Sequence, residues 1–388
     1  MINAYHLINI VLAYVSFSIL MVPFRLVGVF NPAIVDSYIY FLIGSLFLYK
    51  VLFYSHFRAN LFLWVLMFFP FVLVPLGLIN GNSLVYVVSD ALKPLIFFSI
   101  VIYLKNVEFS TEEFYKKTYF FNNVLFVCSF VAICSVLFLY FLGFNVRPSV
   151  SDLSMYFTFS IILFSGHYLK SFIFGCLLIL GGKIGPLLGF LCSFILYKFR
   201  HVGFVRPLVF LFLFLLPFSL VPTSFYESYL PLYGKVSYLF SVDFDMNDML
   251  LVDDKLLGGR LAEIVSAMAS YLNNYYMWFF GYGVGYEYEY YRAGVFEGLL
   301  HGVHFSPVSL LTIYGFFYTF LFFVFVLKVI FECFKHFKSD SDFVLVAISI
   351  FFITAFLNSF TSYSIFSVLL FPVSAGIILN KGAFKCVE

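Results

Sequence analysis

The sequence predicts an all-α polytopic integral membrane protein of eleven to twelve transmembrane helices, with both termini cytoplasmic and one large external loop. Three observations carry this. Of 388 residues, 63% are hydrophobic and only 11% charged, against about 25% charged in soluble domains. The mean hydropathy of +1.02 comes from apolar runs that recur along the whole chain, many near the roughly twenty residues a spanning helix needs; a β-barrel would instead show alternating segments of about ten. The one long interruption is residues 223–303, which hold ten acidic and four basic residues. The chain is therefore expected to be a single membrane domain, residues 1–388, with one extramembrane insertion.

Spans are expected near 5–24, 34–55, 60–79, 86–104, 119–143, 153–168, 169–181, 184–198, 205–222, 305–328, 343–359 and 361–380. The first run ends at Pro23-Phe24-Arg25 without a small-residue cleavage pattern, so it reads as a retained span. The stretch 169–198 is read as two short helices broken at Gly181-Gly182-Lys183. One continuous helix would put Lys198, Arg200 and Arg206 outside, against the positive-inside rule. With the N-terminus inside, fourteen Lys and Arg residues fall on the cytoplasmic side and seven on the outer side. The loop is then external, and periplasmic in a cell with two membranes. Its acidic excess argues against a nucleic-acid partner.

All six cysteines lie in apolar runs or at cytoplasmic edges, at spacings that match no metal or redox motif; they read as small packing residues. Asp90 and Lys93 stand inside the fourth span, where charge is costly in lipid. They form either an intramembrane ion pair or part of a pathway.

Arg25, Arg147, Lys183 and Arg260 are outer-side cations at span ends. Each is explained either by snorkelling or a surface ion pair, or by convergence on an anionic ligand. Arginine suits phosphate through its planar fork of donors, whereas lysine offers a point charge.

Within the loop, an amphipathic helix is expected near 259–280. Leu261, Ile264, Val265, Met268, Tyr271, Leu272 and Tyr275 make its apolar stripe, with Glu263, Ser266, Ser270, Asn273 and Asn274 opposite. Arg260 begins it, where the helix dipole favours an anion. The helix either contributes to an anion site or simply covers the bundle. The run Gly281-Tyr282-Gly283-Val284-Gly285 is a turn suited to positive φ, and no strand precedes it as a nucleotide fingerprint requires. Twelve loop tyrosines, Tyr282 among them, suit either sugar rings or an interfacial aromatic belt. His301 and His304 precede a helix opened by Ser306-Pro307, an N-cap followed by proline. His304 thus stands at the membrane mouth, as a proton acceptor from a hydroxyl or as a structural, hydrogen-bonded histidine. Two histidines with no further Cys/His cluster argue against a metal site.

These residues together resemble the Wzy-type O-antigen polymerases, within a superfamily that also holds the O-antigen ligases. The resemblance spans roughly residues 145–380 and rests on three places. Leu178-Ile179-Leu180-Gly181-Gly182-Lys183-Ile184-Gly185-Pro186-Leu187-Leu188-Gly189 is similar to the family's short-helix turn. Gly259-Arg260, followed by a helix and Gly281-Tyr282-Gly283, is similar to its loop arginine and glycine turn. His304 with Leu310, Leu311 and Gly315 is similar to its histidine at the start of the next span, and Arg147-Pro148-Ser149 adds a weaker likeness. Lys183 stands where the family has arginine, and Phe305 where it has asparagine.

The resemblance implies a glycosyltransferase of the bacterial inner membrane. It would polymerise undecaprenyl-pyrophosphate-linked oligosaccharide repeats on the periplasmic face. It implies catalytic roles for Arg260 and His304. Arg147, Lys183, Arg25, Arg292 and Tyr282 would bind pyrophosphate or glycan, with no metal and no cofactor. Membrane lipid and a chain-length-regulating co-polymerase are the implied partners. The rivals are a ligase moving glycan to lipid A core, and a lipid-linked oligosaccharide flippase or other transporter. The transporter predicts short loops, inverted repeats and midplane charge.

Overall fold

Helices dominate the computed structural model of the chain, which describes residues 4–28, 33–53, 60–107, 111–144, 153–180, 184–199, 260–273, 277–292, 295–339, 342–360 and 365–380. In order these are α1 (Ala4–Leu20), α2 (Val22–Leu26), α3 (Ala33–Phe53), α4 (Leu61–Val72), α5 (Val74–Ile79), α6 (Leu84–Asn106), α7 (Thr111–Phe141), α8 (Leu153–Phe164), α9 (Tyr168–Leu180) and α10 (Ile184–Lys198). The loop contributes α11 (Arg260–Asn273), α12 (Met277–Phe280), β1 (Glu287–Arg292) and β2 (Val295–His301). The chain then forms α13 (Ser306–Ser339), α14 (Phe343–Asn358), a 3-10 turn (Ile365–Ser367) and α15 (Leu370–Ile378). Among the described residues, five stretches are long and apolar enough to cross a membrane: Ala4–Leu26, Leu61–Ile79, Leu84–Asn106, Glu112–Phe141 and Ser306–Lys338. The protein is thus a mainly helical membrane protein. The span expected at 205–222 lies outside the described residues.

The core gathers around α6, which packs on α3, α4 and α15, and around α14, which packs on α8, α10 and α15. Two prolines set how these helices meet α13. Pro70 in α4 and Pro94 in α6 lack the N–H that would bond the carbonyl four residues earlier. Those carbonyls belong to Leu66 and Asp90. Tyr318 and Tyr314, one turn apart on α13, donate their hydroxyls to them at 3.1 and 2.8 Å. Each orphaned acceptor is thereby satisfied inside the bundle, as burial requires.

Several elements add to or depart from what the sequence suggests. Besides α11 and α12 the loop holds a hairpin, in which β1 and β2 pair antiparallel. Their signal was the alternation of glutamate and tyrosine along residues 286–290, which buries Tyr286, Tyr288 and Tyr290 on one face and leaves Glu289 exposed. The expected span at 361–380 resolves into the 3-10 turn and a nine-residue helix, α15, buried against α6 and α14. The Tyr40 hydroxyl bonds the Phe366 carbonyl at 2.6 Å, and the Asn380 amide caps α6 at the carbonyls of Leu104 and Val107. The span expected at 305–328 begins a longer helix, α13, broken at Gly315 (φ 77°, ψ 175°). Finally, α11 is described over Arg260–Asn273; of the expected apolar stripe Tyr271 is buried and Val265 exposed, and Glu263, expected on the opposite face, is buried with Ala267. Glu263 lies on the inner face because a hydrogen-bond partner, His304, waits there.

Candidate functional site

The glycine turn fastens the loop to the bundle. Gly281, Gly283 and Gly285 all have positive φ, of 71°, 84° and 82°. Gly281 faces Gly315 across the break in α13, and a Cβ on Gly281 would lie 2.6 Å from the Ile313 carbonyl oxygen. The break leaves the Thr312 carbonyl to accept the Tyr282 amide at 2.7 Å. On the other side, Asn80 and Asn82, between α5 and α6, donate to the carbonyls of Tyr282 (2.9 Å) and Val284 (3.0 Å). The Gly285 amide donates to Asp90 Oδ2 at 3.0 Å. Glycine is required here by conformation and by close backbone approach.

Held this way, the hairpin supports α11. Ser266 Oγ accepts the Tyr291 amide at 3.2 Å. Tyr271 donates its hydroxyl to the Trp278 carbonyl at 2.7 Å, and Trp278 Nε1 returns a bond to the Tyr271 carbonyl at 3.2 Å. Burial pushes the Tyr271 phenol up to about 12. The Glu289 carboxylate beside Tyr291 raises that phenol as well.

Against this frame two carboxylate–histidine pairs form. Glu263 is buried and reaches His304: Nδ1 lies 2.7 and 2.9 Å from its two carboxylate oxygens, and the His304 amide donates to Oε2 at 3.2 Å. A carboxylate on Nδ1 fixes the tautomer with the proton there, leaving the lone pair on Nε2. Phe305, the next residue, packs its ring on Phe360 at 5.7 Å.

The second pair lies in the bundle. His301 Nε2 is 3.4 Å from Asp90 Oδ1, and Lys93 Nζ is 3.4 Å from the same oxygen. The ion pair expected between Asp90 and Lys93 is therefore present, with His301 as a third member. His301 Nδ1 lies 3.0 Å from the Tyr286 carbonyl, and its ring stacks on Tyr86 at 4.0 Å and 12°. A cavity of about 360 Å³ opens beside them, lined also by Ser306, Ser309, Tyr314 and Ser367.

The candidate residues distribute as follows. His304 and Tyr282 lie at the junction of loop and bundle, Tyr282 with its ring on Tyr286 at 4.5 Å. The backbone of Arg260 opens α11, one turn before Glu263, and that of Arg292 closes β1 opposite Val295; both side chains lie outside the described residues, as do Arg147 and Lys183 entirely. Arg25, in α2, donates to Ser18 at 3.4 Å. Its neighbours Pro23 and Phe24 line an apolar cavity of about 590 Å³ against α7. Sequence reasoning placed Glu263 on the outer face and gave His301 no partner, because both contacts join residues far apart in the chain.

The chain matches no protein-family model, no curated protein and no solved structure.

Proposed function

We propose that the protein is a multi-pass glycosyltransferase of the bacterial inner membrane that polymerises undecaprenyl-pyrophosphate-linked oligosaccharide repeats. In this reading it crosses the bilayer about twelve times with both termini cytoplasmic, and loop 223–303 is periplasmic. The Glu263–His304 pair is the observation that carries it. A histidine held at Nδ1 by a buried carboxylate is oriented to take a proton at Nε2. Transfer needs that proton acceptor at a hydroxyl.

The acceptor hydroxyl on the next lipid-linked repeat gives its proton to His304 Nε2 as its oxygen bonds the anomeric carbon of the growing chain. The bond from that carbon to the pyrophosphate oxygen breaks, and undecaprenyl pyrophosphate leaves with the electron pair. Arg260 begins the helix that carries Glu263, so one element serves both ends of the reaction. Its guanidinium and the helix N-terminus stabilise the departing charge. Arg147 and Lys183 are assigned to the same pyrophosphate, with Arg25, Arg292 and Tyr282 as further substrate contacts. A chain-length-regulating co-polymerase is the protein partner this reading implies.

The test is Arg260→Ala at normal expression, scoring surface polysaccharide by length. Single repeats on lipid A support the polymerase. Loss of all attached glycan points instead to a ligase or flippase, and unchanged long chains overturn the role of Arg260.

A further inference from the structure

A lysine and a histidine meet one carboxylate at the cavity. Asp90 Oδ2 accepts the Gly285 amide, and Oδ1 faces both Lys93 and His301. Both ring nitrogens of His301 face acceptors, the Tyr286 carbonyl and Asp90. The ring also stacks on Tyr86. Lys93 has three donors, and Asp90 is its one described carboxylate partner. The lysine therefore has more donors than this contact uses, inside a helical bundle where an unanswered charged donor is costly.

The cavity offers room for a group that answers those donors. Its volume of about 360 Å³ falls in the range of small-molecule sites, roughly 300–1,000 Å³. Ser309 and Ser367 line it along with Lys93 and His301. The first turn of α13, at Ser306, adds the positive end of a helix. Leu310 and Ile313 supply apolar walls. Gly302 and Val303, at the exit of the hairpin, form part of its wall.

We propose that this cavity is a binding site for a phosphate or carboxylate group, held by Lys93 and His301 with Asp90 fixing both side chains in place. The proposal rests on the transferase reading only for the origin of the anion. That origin is either the pyrophosphate of the lipid carrier or an acidic sugar of the repeat unit. An anion seated there lies beside His301, Gly302 and Val303, in the segment that leads to His304.

Binding to the purified full chain in neutral detergent tests this without any assay of polymerisation, so its failure leaves the transferase reading standing. Inorganic pyrophosphate, glucuronate and glucose are titrated calorimetrically at constant ionic strength. Binding of pyrophosphate alone assigns the site to the carrier, binding of glucuronate alone assigns it to an acidic sugar, and glucose is expected not to bind. Lys93→Gln is expected to weaken the bound anion about tenfold or more, with Lys93→Arg staying within a few-fold of wild type. Ser309→Leu, which fills the cavity and leaves the charges, is expected to abolish binding and decides the matter if Lys93→Gln does not fold. Absence of binding by both anions overturns the proposal. So does anion binding that survives Ser309→Leu and is lost in Arg260→Ala, because the anion then sits at the loop arginine.

Discussion

Glu263 and His304 stand 41 positions apart in the chain and 2.7 Å apart in space, carboxylate oxygen to Nδ1. The contact joins the helix that opens the described part of the loop to the segment that closes it. In the proposed reaction Glu263 is a positioning residue, because it acts through His304.

That relationship predicts a pattern of rates. His304→Ala should slow polymerisation by about 10²–10⁴, the usual contribution of a general base. Glu263→Ala should lower it by a smaller factor, and Glu263→Gln, which keeps an acceptor for Nδ1–H, should recover part of the loss. The double variant Glu263→Ala/His304→Ala should be no slower than His304→Ala alone. Single-turnover rates on a lipid-linked repeat measure this. Independent, multiplying losses would show that Glu263 serves the fold and not the histidine.

The tyrosines of α13 predict a stability cycle. Tyr318→Phe leaves the buried Leu66 carbonyl without its donor and should cost about 1–3 kcal/mol. Pro70→Ala returns an N–H to that carbonyl, so in its presence the cost of Tyr318→Phe should fall by about 1 kcal/mol. Thermal unfolding in detergent reads both numbers. Equal costs in the two backgrounds would mean the hydroxyl is not replacing the missing helical bond.

Tyr271 predicts an alkaline limit. Its folded-state value of about 12 lies above the ordinary 10.0 because burial favours the neutral phenol. The folded state therefore holds the proton more tightly than the unfolded chain. The stability this contributes is fully present below pH 10 and is lost as pH rises through about 12. Tyr271→Phe should flatten the decline of unfolding temperature across that window. The same slope in variant and wild type would remove Tyr271 as its origin.

What the sequence disclosed depended on the range of each interaction. The α6 span and the positive-φ glycines are local, and Gly281, Gly283 and Gly285 adopt the expected conformation. The Asp90–Lys93 pair, three residues apart on one helix, was likewise legible. Glu263 was misplaced because a charged side chain on an amphipathic helix is ordinarily assigned to water. Only a partner 41 positions away, His304, turns it inward. The hairpin left its trace in alternating Glu and Tyr, hidden beneath a tyrosine count that suggested a membrane belt. His301 could not be linked to Asp90 from sequence, and α15 was overestimated because an apolar run says nothing of where its helix stops.

The amide that Gly285 gives Asp90 comes from 195 residues further along the chain. At synthesis rates of about 5–20 residues per second, the ribosome makes that amide roughly ten to forty seconds after Asp90. Until then Asp90 has, of its described charge partners, only Lys93. A chain cut short anywhere before the glycine turn stays in that condition, with a carboxylate half-answered in the bilayer.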